Sequence, residues 1–341
     1  MPGVAACVSL GDDVAVAFAE GRSVRFWRTG GAAAELGSAD SAITIIALDS
    51  SAAHVATAND KALTLWDVAA RRALWRTVAP KRPNAMVFDG ARLIFADKFG
   101  EVWSLAEAAA SDSTRAADNA VRIGPEPCFE LGHVSLVSAM AVLPGRERRL
   151  VTADTDKRIR VSAWPAGYCI DAFCMGSKAV PSALAFAHGP LGEVLLSGGE
   201  DGALHAWDPA TGALLALVHP AADLPAPEPS AAAPPSPAPR AVRVVCAGLG
   251  AQCALLALAL AESSRVAIYA LERDEDTRLS LRAHAPLDLP GEPGAVLELH
   301  ATPRGDLCVV CAGGLLLQYE STTDAHFRLA AQHALCRRSD E

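Results

Sequence analysis

The chain has 341 residues, 51% of them hydrophobic, and carries 30 basic against 39 acidic side chains for a net charge of −9. That length suits one large domain or two ordinary ones, and the acidic balance argues against unaided, high-affinity nucleic-acid binding while leaving room for a local basic patch. No apolar run is long enough to span a bilayer, and residues 1–10 lack a basic region followed by an apolar core, so the cytosol or the nucleus is the expected compartment.

Short runs of alternating apolar and polar residues, separated by Gly, Asp and Asn turns, follow one another along the chain with the period of β-strands. They group into seven units, centred on residues 4–27, 43–66, 85–103, 136–164, 182–207, 243–269 and 295–319. Asp60, Asp97 and Asp201 each stand six residues before a tryptophan (Trp66, Trp103 and Trp207), and Trp66 and Trp207 are each followed by aspartate. The units recur at roughly forty residues, the spacing of WD repeats. The pattern predicts an all-β fold, a seven-bladed WD-repeat β-propeller forming a single domain over residues 1–341. Units one, six and seven are degenerate, with Phe26, Ile268 and Tyr319 in the tryptophan-equivalent place. Only one unit, the fourth, has a Gly-His pair ahead of it, Gly132-His133. Residues 108–124 read as a low-order connection between units three and four. Residues 219–240 hold eight of the 22 prolines and read as a disordered or polyproline-like insert between blades five and six. The tail, 321–341, either supplies the last outer strand or leaves that to the N-terminus.

Motifs that would carry chemistry are missing: there is no GxSxG, no HExxH and no phosphate-binding GxxxxGK[ST]. Gly248-Leu249-Gly250 sits in an alanine- and cysteine-rich strand pair and reads as turn glycines, not a nucleotide loop. Most of the nine cysteines lie in apolar strands, as Cys246, Cys253, Cys308 and Cys311 do. Residues three apart on a strand point to opposite faces, so Cys308 and Cys311 are poorly placed to share a metal and read as buried, reduced thiols. No catalytic residue, metal or cofactor is therefore expected. His133 is expected to serve structure, bonded to Asp156 and Thr152, while Asp60, Asp97 and Asp201 tie their turns by capping backbone N–H groups. The tryptophans are expected to pack between blades.

The fourth unit departs from the pattern. Six residues after Asp156 stands Ser162, and Trp164 falls two residues later, while Lys157, Arg158 and Arg160 crowd the same hairpin. Places where local consistency fails are enriched in function. In a propeller the loops joining strands b to c, and those joining consecutive blades, emerge on one face. Lys98, Lys157 and Arg158 lie on b–c turns, and Lys81, Arg82 and Lys178 lie on between-blade connections, so they should form one basic arc across blades three to five. Arg146, Arg148 and Arg149, on an a–b loop, should point to the opposite face. Such an arc suits an acidic protein partner first and a phosphate backbone second.

Several segments together resemble a known family. They are Ala96-Asp97-Lys98-Phe99-Gly100-Glu101-Val102, Leu131-Gly132-His133-Val134-Ser135, Thr152-Ala153-Asp154 through Ile159-Arg160-Val161-Ser162, Pro165-Ala166-Gly167-Tyr168, Phe173-Cys174-Met175-Gly176 and Leu195-Leu196-Ser197-Gly198-Gly199. In this order they resemble the WD-repeat, non-catalytic subunit of the eukaryotic tRNA (guanine-N7-)-methyltransferase. The resemblance covers residues 95–208; outside them the likeness is that of a generic propeller. It implies a scaffold in the nucleus, or also the cytoplasm, that binds a separate S-adenosylmethionine-dependent subunit as a heterodimer and meets tRNA through that complex. It further implies that Arg160 and Lys178 match basic positions of the partner interface, with Asp156, Lys157 and Arg158 beside them and Lys98 at the rim. One departure is Gly176-Ser177, where the family usually has Gly-His before the fifth blade. The alternatives are a scaffold of another complex, such as a ubiquitin ligase substrate receptor, a direct RNA binder and, more remotely, an enzyme.

Overall fold

The structure is a computed structural model that describes residues 3–106, 121–143, 148–189, 192–220, 241–249, 253–260, 265–273, 278–291, 294–322 and 327–335. The expected insert lies outside them from 221 to 240, as do Arg146, Gly250 and most of the 108–124 connection.

Among the described residues the strands form seven sheets, one per blade. Blade one is β1 (Val4–Leu10), β2 (Asp13–Glu20), β3 (Ser23–Arg28) and β4 (Ala34–Ser38). Blade two is β5 (Ile45–Leu48), β6 (His54–Asn59), β7 (Ala62–Asp67) and β8 (Arg72–Val78). Blade three is β9 (Pro83–Asp89), β10 (Arg92–Asp97) and β11 (Glu101–Leu105); the chain then adds the short β12 (Arg122–Ile123) before the blade's outer strand, β13 (Cys128–Gly132). Blade four is β14 (Val137–Leu143), β15 (Arg149–Asp154), β16 (Ile159–Ala163) and β17 (Ile170–Cys174). Blade five is β18 (Pro181–Gly189), β19 (Gly192–Gly199), β20 (Leu204–Trp207) and β21 (Leu214–Val218). Blade six is β22 (Ala241–Leu249), β23 (Cys253–Leu260), β24 (Arg265–Arg273) and β25 (Leu279–Ala283), with β26 (Leu287–Asp288) also on β24. Blade seven is β27 (Val296–Ala301), β28 (Leu307–Cys311), β29 (Leu315–Ser321) and β30 (Phe327–Ala334).

The seven expected units are these seven blades. Their inner strands neighbour one another in turn, and β27 returns to β1 to close the ring. β12 pairs parallel with β8, so the connection after blade three reinforces the outer edge of blade two. Gly124 is needed there, because a Cβ would stand 2.5 Å from the Trp75 ring.

Each blade buries one face against the preceding blade and one against the next, so almost every strand residue of the middle strands is apolar and covered. Burial at about 25 cal/mol per Å² of apolar surface makes these inter-blade seams the main source of stability. Alternation across the sheet decides which side chain fills a seam. Here the expectation needs correction in three blades. Trp27, not Phe26, faces the preceding blade, packing with Cys308, Val310 and Leu316, while Phe26 turns to Ile43 and Trp66. Tyr269, not Ile268, does so in blade six, against Leu204 and Ala206. In blade three Trp103 pairs with Phe95, two positions nearer the turn than Trp66, which pairs with Val55, or Trp207, which pairs with Leu195. The six-residue spacing misled because Asp97 ends strand β10, whereas Asp60 and Asp201 lie within their turns. Leu105 therefore occupies the tryptophan place of blade three. Tyr319 sits where expected, in the seam between blades six and seven.

The ring closes without exchanging a strand. Blade seven takes its outer strand from the C-terminal segment and blade one is complete from β1, so among the described residues no strand pairing joins them and side chains make the joint. The joint is an apolar seam of Val14, Val16, Phe18, Trp27 and Val310, flanked by the hydrogen-bonded pair Ser9–His300 at 2.7 Å and the ion pair Arg304–Asp12. No helix among the described residues is long and apolar enough to cross a membrane.

Candidate functional site

Backbone hydrogen bonds tie the b–c turns of blades two to five to the connection entering or leaving each blade. Ala79 donates to Lys61 O, Lys98 to Arg82 O, His133 to Gly100 O, Thr155 to Leu136 O and Glu200 to Val180 O. The b–c turns and between-blade loops of blades two to five thus share one face, on which Lys61, Lys81, Arg82, Lys98, Lys157, Arg158 and Lys178 are all exposed. None of these seven cations has a carboxylate oxygen within 4.0 Å among the described residues. The opposite face is different. There Arg28 pairs with Asp13, Arg148 with Asp89, Arg149 with Asp171 and Glu193, and Arg304 with Asp12. Pairing is commoner on that side but not complete, since Arg71 and Arg72 on the c–d turn of blade two are exposed without an ion pair among the described residues, and on the arc's side Arg76 pairs with Asp40 of the connection between blades one and two; Arg148 and Arg149 fall on the opposite side as expected. Lys61 was not singled out from sequence, although Asp60-Lys61 occupies the same turn position in blade two that carries Lys98 in blade three.

The fourth blade shows what replaced its tryptophan. Ser162 pairs with Leu150, the register place held by Trp207 in blade five, and Arg160 pairs with Thr152 two positions nearer the turn. Arg160 and Ser162 share the sheet face turned toward blade three. Arg160 is only 8% exposed. Its Nε donates to Ser162 Oγ at 2.9 Å, Nη2 to the Gly167 carbonyl at 2.7 Å and Nη1 to the Gly132 carbonyl at 3.4 Å. Burial lowers its pKa below the usual guanidinium value. Arg160 therefore does not stand on the surface of the basic arc; it fills the vacated tryptophan space and pins two loops, those of Gly132-His133 and Ala166-Gly167-Tyr168. Trp164, next on the same face, donates to Asp89 Oδ2 at 2.8 Å across the seam.

His133 sits beside this arginine with Nδ1 2.9 Å from Asp154 Oδ2 and Nε2 2.7 Å from Thr152 Oγ1. Its acidic partner is Asp154, not the expected Asp156, because Asp154 ends strand β15 inside the seam while Asp156 is exposed at the turn. Burial pushes the His133 pKa down despite that carboxylate, so the imidazole is a neutral bridge. Asp97 caps its turn as expected, accepting Phe99 N and Glu101 N at Oδ1, and Asp201 accepts Ala203 N. Asp60 makes no such side-chain bond among the described residues; it takes the turn's positive φ of 51° instead.

Of the sequence-predicted residues, Asp156, Lys157 and Arg158 form one exposed turn that Asp154 builds, since its Oδ1 accepts Arg158 N and its carbonyl accepts Lys157 N. Lys178 is exposed on the next connection, where Ser177 Oγ donates to the Ala179 carbonyl in the place of a Gly-His imidazole. Lys98 lies over Phe99 on the blade-three turn. Around them stand exposed apolar side chains that sequence reasoning missed: Phe99, Val134, Tyr168, Phe173 and Met175. A strand's outward positions give no sequence signal when the adjoining blade edge is left open.

Cys308 and Cys311 point into different seams, toward blade one and blade six respectively, and burial raises their thiols to about 12 and about 11. Cys246 and Cys253 have side chains outside the described residues. No group of three His, Cys, Asp or Glu residues able to hold a metal is found among the described residues. A shallow cleft of about 360 Å³, lined by Phe26, Arg28, His54, Asp67 and Val68, opens between blades one and two on the paired-charge face.

Comparison with known proteins agrees with this architecture. Solved propellers share the fold: the RRP9 WD40 repeats align with a TM-score of 0.68 at 19% identity, covering 92% of this chain and 88% of that one. U3-55K aligns with a TM-score of 0.67 at 19% identity, covering 92% and 89%. Among curated relatives, the tRNA (guanine-N(7)-)-methyltransferase non-catalytic subunit TRM82 of Eremothecium gossypii is 34% identical over 139 residues, which are 40% of this chain and 28% of that protein. The human subunit WDR4 is 33% identical over 148 residues, 42% of this chain and 32% of its own. The chain thus matches only about three tenths of the length of these relatives. The model of the tRNA methyltransferase TRM82 WD40 domain matches residues 125–311, more than half of the chain, and this chain belongs to that family.

Proposed function

We propose that this chain is a non-catalytic scaffold subunit that binds and stabilises a catalytic tRNA (guanine-N7-)-methyltransferase subunit as a heterodimer, with tRNA engaged through the complex. The observation that supports it is the basic face of blades two to five: seven exposed cations that, among the described residues, have no carboxylate within 4.0 Å, in a chain of net charge −9. Lys157, Arg158 and Lys178 offer charge-assisted donors to acidic residues of the partner, Asp156 offers an acceptor, and Lys98 extends the surface to blade three. Arg160 serves from beneath by holding the Gly132 and Gly167 loops in place. Truncating one member of such a pair at a partly buried interface costs about 2–5 kcal/mol. A nuclear residence goes with this reading and is tested by imaging a tagged chain.

The experiment is co-expression with the methyltransferase subunit, comparing the wild type with the double variant Lys157→Glu/Arg158→Glu. The variant should fold normally and lose co-purification, and methyl transfer should need both chains. Undiminished co-purification with both charges reversed, or recovery of a ubiquitin ligase instead of the methyltransferase, would overturn the reading.

A further inference from the structure

We propose that the cluster of Lys81, Phe99 and Lys98 binds unpaired nucleotides of RNA on this chain itself, independently of the catalytic partner. Phe99 is 57% exposed at the apex of the b–c turn of blade three. The Lys98 ammonium lies 5.1 Å and the Lys81 ammonium 5.5 Å from its ring centre. An exposed aromatic is commonly mobile, but this one is held by a rigid turn. Buried Asp97 accepts Phe99 N at 2.8 Å, Glu101 N at 3.1 Å and the Trp103 indole at 3.2 Å. Gly100, at φ 89°, takes the one backbone shape that lets the turn meet the next connection, since a Cβ there would fall 2.3 Å from the Ser135 carbonyl. Lys98 N bonds the Arg82 carbonyl, which brings a third exposed cation alongside.

Chemistry selects the ligand. An acidic peptide would satisfy the lysines and leave the ring in water; an apolar peptide would cover the ring and strand two ammonium groups without partners. A nucleotide segment offers both parts at once, phosphates that draw the lysine ammonium groups from over the ring and a base to stack on the ring face they leave. The net negative charge of the chain keeps the site weak and local, which is what a positioning contact on a larger complex requires.

The test uses the purified full chain without its partner and reads anisotropy of a labelled 12-nucleotide oligouridine, a duplex RNA of equal charge and whole tRNA. The wild type should bind the single strand and tRNA at low salt, with affinity falling as salt rises. Phe99→Ala should weaken single-strand binding about 5- to 100-fold, as loss of one stacking contact does, and Phe99→Trp should restore it. Lys81→Ala should weaken binding and flatten the salt dependence. Circular dichroism confirms that the variants fold. No measurable single-strand binding by the wild type, an unchanged affinity in Phe99→Ala, or equal affinity for the duplex would overturn the proposal. Loss of co-purification with the methyltransferase in Phe99→Ala at unchanged RNA affinity would also overturn it, assigning the cluster to the protein interface. Because co-purification and RNA binding are read separately, failure here leaves the scaffold reading standing.

Discussion

Replacing Arg160 by methionine removes the guanidinium while keeping most of the side-chain volume in the seam between blades three and four. Two of its acceptors, Ser162 Oγ and the Gly167 carbonyl, belong to buried residues. Orphaning a buried acceptor costs about 1–3 kcal/mol each. The Gly132 bond is long at 3.4 Å and its residue is exposed, so it adds little. Removing a desolvated charge returns part of the loss, leaving a net destabilisation of about 2–4 kcal/mol. At roughly 2 °C per kcal/mol for a protein of this size, the melting temperature should fall by about 4–8 °C. Differential scanning fluorimetry measures this, with Arg158→Met as the control. Arg158 is solvent-exposed on the same hairpin, and its loss should move the melting temperature by no more than about 1 °C. Arg160→Met should also weaken co-purification through misplaced loops, whereas Arg158→Met should weaken it at full stability. If Arg160→Met melts with the wild type, the guanidinium is not the replacement for the tryptophan and the reasoning fails.

Two histidines should answer pH in opposite senses. Hydrogen bonding to Asp49 raises the His54 pKa above its ordinary 6.5 against the effect of burial, so the folded state binds the proton more tightly than the unfolded one. Its stabilisation is full below about 6.5 and is lost as pH rises through the raised value. The destabilisation caused by His54→Gln should therefore shrink between pH 6 and pH 9. Burial lowers the His133 pKa, so its contribution is full above about 6.5 and lost as pH falls through the lowered value. The cost of His133→Gln should be greatest near pH 8 and shrink toward pH 5; parallel trends for the two variants would contradict this assignment. Thiol labelling in the native state should modify Cys128 and Cys169, which are exposed, within minutes. Cys174 and Cys308, buried and raised to about 12, should react only on unfolding; equally fast labelling of all four would mean that the seams open freely.

Much of this was legible from spacing. The seven blades and the centres of their first three strands, the opposed placement of Cys308 and Cys311, and the placement of Lys98, Lys157, Arg158 and Lys178 on the face opposite Arg148 and Arg149 all follow from strand alternation and loop topology. These are local rules, each satisfied within one hairpin. Register was less legible: Trp103 keeps a six-residue spacing and still occupies a different place from Trp66, because the strand–turn boundary moves by two residues between blades. The same shift exchanged Asp156 for Asp154 as the partner of His133. An aspartate one pleat away looks identical in sequence and differs completely in burial.

By itself, then, the sequence determined the repeat, the count of blades and the face on which each turn's charges emerge, since alternation and turn chemistry act over a few neighbouring residues. Tertiary structure decided what those residues do. The basic hairpin of blade four divided into an exposed turn, Asp156 to Arg158, and a buried Arg160 that closes a gap against another blade. It also decided that, among the described residues, the ring closes without strand exchange, and that Phe99 stands exposed with two lysine ammonium groups over its ring. Those outcomes depend on contacts between segments far apart in the chain, where packing rather than pattern chooses which polar group is satisfied and which is left for a partner.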